Sequence, residues 1–168
     1  EKPIDRFKVL ITGKDKAGEF YRKNFASMFQ YCSNRIPEIT DAFYKIDDAM
    51  KAGFGWENGP FEIWDAIGVE KGIELMKAEG YQPASWVTEM LASGNTSFYS
   101  VKDGATHFYS ITNKKVEKIP GQDAFIILNN IRESKKIWNN SDAIITDLGD
   151  GIINLEFTSK MNSIGAGV

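Results

Sequence analysis

The stretch Ile46-Asp47-Asp48-Ala49-Met50-Lys51-Ala52-Gly53-Phe54-Gly55-Trp56-Glu57-Asn58-Gly59-Pro60-Phe61-Glu62-Ile63-Trp64-Asp65-Ala66-Ile67-Gly68 limits what this chain can become. It reads as the end of one helix, a glycine-rich corner and the start of the next helix. Gly53, Gly55 and Gly59 offer backbone conformations that a Cβ disfavours. Pro60 suits a first helical turn, where a missing N–H costs nothing. Phe54, Trp56, Phe61, Ile63, Trp64 and Ile67 supply more apolar area than a solvent loop carries, so the corner is expected to be buried.

Ile46-Asp47-Asp48-Ala49-Met50, Gly53-Phe54-Gly55-Trp56, Gly59-Pro60-Phe61-Glu62 and Asp65-Ala66-Ile67-Gly68 follow one another in order. This series closely resembles the signature of the C-terminal helical domain of 3-hydroxyacyl-CoA dehydrogenases, with a likeness expected over residues 18–93. The resemblance implies a mainly α fold, a multi-helix domain like the C-terminal domain of 6-phosphogluconate dehydrogenase, followed here by a smaller β-rich segment. It marks Gly53, Phe54, Gly55, Trp56, Gly59, Pro60, Phe61, Trp64 and Asp65 as motif residues for packing or an interface.

A chain of 168 residues suffices for one ordinary domain or two small ones. Net charge −3 with interspersed signs argues against a nucleic-acid surface. No apolar run reaches membrane-spanning length and no signal peptide is visible. The single cysteine, Cys32, forms no internal disulfide and fits a reducing cytoplasm. The chain starts without Met and stops at Ser163-Ile164-Gly165-Ala166-Gly167-Val168 with no breaker pattern, so it is expected to be a piece of a longer protein.

Residues 1–17 read as a turn or leader. Gly13-Lys14 lacks both the upstream glycine and the Ser or Thr of a phosphate loop. Phe20, Tyr21, Phe25, Met28, Phe29 and Cys32 recur at helical spacing, with a break expected near Ile36 ahead of Pro37. A second helix passes through Phe43, Ile46, Ala49 and Met50, with Thr40 or Asp41 as N-cap and Gly53 as its stop. Helices over Pro60–Ile67 and Val69–Ala78 follow, the second closed by Gly80, and a short one with Ser85 as N-cap and Thr88 at the Glu or Gln position of a capping box ends before Gly94.

The composition then changes. Phe98–Val101 and His107–Ile111 flank Lys102-Asp103-Gly104, a hairpin pattern, and a turn at 112–115 leads to Val116–Ile119. Ala124–Ile131 suits either a buried strand or a short helical stretch. Asp142–Thr146 and Ile152–Phe157 flank Leu148-Gly149-Asp150-Gly151 and form the clearest strand pair. Residues 1–93 are thus expected to be a helical domain and residues 94–168 a β-rich segment. Asp150–Phe157 with Lys160-Met161-Asn162-Ser163 is similar to the opening of the crotonase fold, which implies a truncated enoyl-CoA hydratase-like start.

Candidate chemistry is sparse. His107, the single histidine, follows the helical domain, whereas the family's catalytic histidine precedes it; a surface strand position is expected. No Gly-x-Gly-x-x-Gly follows a strand, so the cofactor fold is absent, and NAD is expected to be held by residues outside this chain. The family opens its helical domain with an Asn-Arg pair whose Asn positions substrate. That pair falls near Tyr21-Arg22 rather than Asn34-Arg35, so Arg22 matches while Tyr21 stands at the Asn position; Asn24 is rotated away. This departure suits the second of two tandem helical copies, packed on the first as a pseudo-dimer partner.

The acidic pairs Asp47-Asp48 and Glu62/Asp65 lack the His or Cys partners of a metal site and read as caps or solvated faces. Phe54, Trp56, Phe61 and Trp64 read as core or interface aromatics ahead of an acyl pocket. Lys114-Lys115 and Lys135-Lys136 read as solvated turns rather than CoA-phosphate contacts. The expected function is a fragment of an NAD-dependent 3-hydroxyacyl-CoA dehydrogenase of fatty-acid β-oxidation. It would be inactive alone and would partner an acyl-CoA substrate, a Rossmann domain and a homodimer or pseudo-dimer mate. The rival is a non-catalytic helical interaction module, and a third reading is part of a hydratase.

Overall fold

A computed structural model describes residues 3–168. Six helices lead: α1 (Arg6–Thr12), α2 (Lys16–Asn34), α3 (Tyr44–Phe54), α4 (Pro60–Ile67), α5 (Val69–Ala78) and α6 (Ser85–Ala92). Strands β1 (Tyr99–Lys102), β2 (Ala105–Ser110) and β3 (Lys115–Lys118) form one sheet in that order. A single helical turn, α7 (Leu128–Ile131), precedes β4 (Lys136–Asn139), β5 (Ala143–Gly149) and β6 (Ile152–Phe157), which form a second. The chain divides into two compact units: residues 1–100 with 107–117, and residues 101–106 with 118–168. The mainly α architecture with two small sheets is the one the sequence implies.

Within the first unit, local chemistry explains most boundaries. The Asp15 carboxylate accepts the Gly18 N–H at 2.9 Å and so caps α2. The chain turns tightly there, because a Cβ on Gly18 would lie 2.1 Å from the Gly13 oxygen. Phe25 and Phe29 bury the inner face of α2, which packs against α5 and α1, while Phe20 and Tyr31 stay exposed. Pro60 opens α4 at its first position, and Gly68 separates α4 from α5.

Several expectations are corrected. The stretch expected to be a turn or leader holds a 3-10 turn (Pro3–Asp5) and α1; residues 1–2 lie outside the described part. Phe7 of α1 meets Phe25 edge-on at 5.8 Å, and this burial favours the helix. Neither Thr40 nor Asp41 is the N-cap of α3, which starts after Phe43 without a side-chain cap. Thr40 Oγ1 instead accepts the Ala42 N–H in the preceding turn, at 3.2 Å. Gly53 does not stop α3; the helix runs to Phe54 and ends at Gly55, whose φ of 68° is left-handed. At α6 the N-cap is Ala84, not Ser85, and the Thr88 hydroxyl donates back to the Ser85 carbonyl at 2.7 Å.

The core of the first unit is aromatic. Phe43 lies 5.0 Å from Phe61, 5.3 Å from Phe98 and 5.8 Å from both Trp86 and Phe108, ring centroid to centroid. Trp64 stacks on Phe29 at 4.7 Å. Both buried indoles find acceptors: Trp64 Nε1 donates to the Val69 carbonyl and Trp86 Nε1 to the Ser33 carbonyl, each at 3.0 Å. Gly72 makes room for Trp64, since a Cβ there would lie 2.1 Å from the indole nitrogen.

In the second unit β4, β5 and β6 pair antiparallel, with Trp138 opposite Ile145 and Ile145 opposite Leu155. A turn at Asp150-Gly151 joins β5 to β6, shorter than the expected Leu148–Gly151 because Leu148 and Gly149 extend β5, whereas β4 had no clear sequence signal. Ala124–Ile131 resolves into a 3-10 turn, an extended stretch with Phe125 and Ile126 exposed, and α7. Leu155 is about half exposed while Glu156 is less so, because Arg132 Nε donates to its Oε2 at 3.0 Å.

Candidate functional site

The glycine-rich corner folds around a carboxylate rather than around its glycines. Asp47, on the inner face of α3, is fully buried. Its Oδ1 accepts the Phe61 N–H at 2.9 Å and its Oδ2 the Glu62 N–H at 3.0 Å, so a side chain from one helix caps the next. The Tyr99 hydroxyl donates to Oδ2 as well, at 2.7 Å. Glu62 reaches back to the Gly59 N–H at 2.8 Å and holds Lys51 Nζ at 2.7 Å. Glycine cannot return the side-chain half of a capping box, and Asp47 takes that part.

Asp65 repeats the device at the next junction. Its two oxygens accept the Phe98 and Tyr99 N–H groups at 2.7 and 2.8 Å, which fixes where the chain enters β1. Burial pushes the Asp47 carboxyl up to about 7 against the pull of its three donors. Burial likewise raises Asp65 to about 7, and the nearby Asp47 adds to it. Tyr99 is pushed up by burial and by the Asp47 charge, so its hydroxyl stays a donor.

The three corner glycines serve different ends. Gly55 supplies the left-handed turn. Gly59 has ordinary extended backbone and is needed for space, since a Cβ there would lie 2.3 Å from the Asp47 Cβ. Gly53 lies inside α3 with open space around it, so neither reason applies.

The corner is only partly buried. Pro60, Phe61, Ile63, Trp64 and Ile67 are buried as expected, but Phe54 is 75% exposed and Trp56 39%. The expectation of burial fails for those two: Phe54 closes α3 with its ring in solvent, and the left-handed turn at Gly55 carries Trp56 beyond the end of that helix. Trp56 lines an apolar cleft of about 300 Å³ with Phe7, Tyr21, Phe25, Met28 and Ile63. The cleft's polar rim is Glu57 and Asn58.

The remaining candidates have structural partners. Arg22 Nη1 donates to the Ile11 carbonyl at 3.0 Å and to the Gly13 carbonyl, closing the end of α1. Tyr21 meets Phe20 edge-on. Asn24 and Asn34 each donate to a carbonyl four residues back. His107 is half-buried on β2. Lys114, Lys115 and Lys136 pair with Glu89, Glu117 and Glu133. Among the described residues no group of His, Cys, Asp or Glu is placed to hold a metal ion, and no helix is long and apolar enough to cross a membrane.

The sequence pattern missed the belt of Asp47, Lys51, Glu62 and Tyr99. Half of it was readable, because Glu62 stands three residues after Gly59 at the start of α4. The Asp47 and Tyr99 contacts join residues 14 and 52 apart and leave no local trace.

A helical domain in which a buried carboxylate ties one helix to the next is the class this geometry defines. The model of the 3-hydroxyacyl-CoA dehydrogenase C-terminal domain matches residues 20–106, and the chain belongs to that family. A Bacillus subtilis (strain 168) protein named as a 3-hydroxyacyl-CoA dehydrogenase is 38% identical over 95% of this chain and 20% of its own length. Two proteins named as fatty acid oxidation complex trifunctional enzymes also match. The Rickettsia felis (strain ATCC VR-1525 / URRWXCal2) protein is 33% identical and the Rickettsia prowazekii (strain Madrid E) protein 24%, each over 95% of this chain and 19% of its own. The chain thus spans about a fifth of the length of these relatives. No solved structure matches significantly.

The residues present do not fit a dinucleotide. Among the described residues the sheets are two small antiparallel ones, and no strand leads through a Gly-x-Gly-x-x-Gly turn into a helix.

Proposed function

We propose that this chain is the helical part of an NAD-dependent 3-hydroxyacyl-CoA dehydrogenase of fatty-acid β-oxidation, which oxidises a 3-hydroxyacyl-CoA to the 3-oxoacyl-CoA. Residues 1–93 form the dehydrogenase portion, and residues 94–168 link it to a crotonase-like domain that they begin. The chain provides substrate-side packing and contacts to a Rossmann domain or to a second helical copy. NAD is held by residues outside it, and the working compartment is the cytoplasm. The observation that carries this reading is the corner itself: a rigid carboxylate-tied frame that leaves Phe54 and Trp56 outward. Family membership and the names of the relatives support the chemistry.

Following NADH absorbance with 3-hydroxybutyryl-CoA and NAD tests it. The 168-residue chain alone is expected to give no turnover. A longer polypeptide joining this chain to a dinucleotide-binding domain is expected to give turnover that falls with Phe54→Ser and Trp56→Ser. Turnover by the chain alone, or full activity in both variants, refutes the reading.

The exposed aromatics also favour a second reading, a non-catalytic dimerisation module. In that case the isolated chain sediments as a dimer that Phe54→Ser with Trp56→Ser makes monomeric, while no fusion to a dinucleotide-binding domain yields turnover.

A further inference from the structure

Away from the corner, a second cleft opens where the end of α2 passes the start of α3. Its volume is about 550 Å³, within the range of small-molecule sites. Cys32, Ile46, Ala49 and Met50 give it an apolar lining. Burial pushes the Cys32 thiol up to about 11, so that side chain stays neutral and contributes only its apolar body. At the polar end stand Arg35, Lys45 and the Asp41 carboxylate, and Glu38 adds a second carboxylate through its pair with Arg35.

Arg35 is built in rather than dangling. Its guanidinium carbon lies 5.7 Å from the centre of the Tyr31 ring, and Nη1 pairs with Glu38 at 2.7 Å. Its Nε–H is shielded from solvent and has no hydrogen-bond partner among the described residues. A shielded donor left unmade is costly, so such a group calls for an acceptor. The Glu38 side chain is mostly exposed, so that pair adds little and does not lock the guanidinium against a small rotation. Lys45 is exposed and makes no salt bridge among the described residues.

We propose that this cleft binds a small amphiphilic anion, a carboxylate carrying an apolar chain, with the head between Arg35 and Lys45 and the chain along Ile46 and Met50. The apolar lining excludes a purely hydrophilic ion as the best ligand, because such an ion leaves that lining wet. The unmade Arg35 Nε–H and the Lys45 ammonium favour a charged head over a neutral one, because a charge-assisted hydrogen bond outweighs a neutral one. Binding here requires neither a dinucleotide fold nor an intact dehydrogenase, so it stands or falls apart from the enzymatic reading.

The test is a two-dimensional NMR titration of the whole 168-residue chain with decanoate, decanol and acetate, each below any aggregation threshold. Decanoate is expected to bind saturably, shifting the amides of Arg35 and Ile46 and the Met50 methyl. Decanol and acetate are each expected to bind at least about tenfold more weakly, the size of one charge-assisted contact or a few buried methylenes. Arg35→Gln and Lys45→Glu are each expected to weaken decanoate about tenfold. Lys45 is exposed, so the second variant keeps its fold and remains informative if the first does not. Equal affinity for decanol, unchanged affinity in Lys45→Glu, or shifts centred on Trp56 would overturn the assignment.

Discussion

Gly59 and Asp47 approach so closely that a methyl group on the glycine would lie 2.3 Å from the Asp47 Cβ. The contact is what lets a carboxylate on α3 reach the first N–H groups of α4. Gly59→Ala is therefore expected to separate the two helices and to cost about 1–3 kcal/mol, the range for overpacking a tight site. Urea unfolding of the variant and the parent chain checks this. A stability equal to the parent's would mean that the junction is slack.

The Asp47 cap can be measured as a coupling. Asp47→Asn keeps the shape but removes the charge, while Tyr99→Phe removes one donor. Each single change is expected to destabilise by about 1–3 kcal/mol. In the double-mutant cycle the pair should couple by at least about 0.5 kcal/mol, since the groups share a hydrogen bond of 2.7 Å. Strict additivity contradicts the geometry.

Asp47 and Asp65 set a sign for pH dependence. Both are raised to about 7, above the usual carboxylate range, so the folded chain holds protons that the unfolded chain has released. Their contribution is fully present below about pH 4 and declines as pH rises through about 7. Other carboxylates act oppositely, as Glu19 does, so the readout is a difference. Asp65→Asn is expected to flatten the fall in stability between pH 4 and 7 relative to the parent, seen in melts at several pH values. An unchanged slope would exclude Asp65 as a source.

The aromatic residues of the corner divide into two energetic classes. Phe61→Ala and Trp64→Ala empty the core and are expected to cost about 3–5 kcal/mol each. Phe54→Ala is expected to stay within about 0.5 kcal/mol, because its ring is largely in water. Denaturation curves of the three variants suffice, and a large loss in Phe54→Ala would place that ring in the core.

How much of this was legible in the sequence depended on whether the signal was local. Pro60, Gly68 and Gly80 punctuate α4 and α5 by backbone chemistry within a residue or two, and those helices fall where the pattern puts them. The turn residues Gly149-Asp150-Gly151 announce β5 and β6 for the same reason. Thr40 and Ser85 looked like caps because their side chains are of the right type, but the Thr40 hydroxyl is engaged in the turn before α3, and Ser85 lies inside α6, where its carbonyl accepts the Thr88 hydroxyl. Apolar content alone could not separate Trp64 from Trp56. One faces Phe29 and the other projects past a left-handed glycine, which is a matter of direction rather than composition.

The belt also separates inheritance from invention. Asp47 and Asp65 hold the frame from inside through backbone N–H groups, which every residue but proline possesses. Apart from the Tyr99 hydroxyl on Asp47, the side chains at the bridged positions take no part. Positions 54 and 56 can therefore change with whatever surface they come to meet, and a lineage can trade one neighbour for another without renegotiating the scaffold.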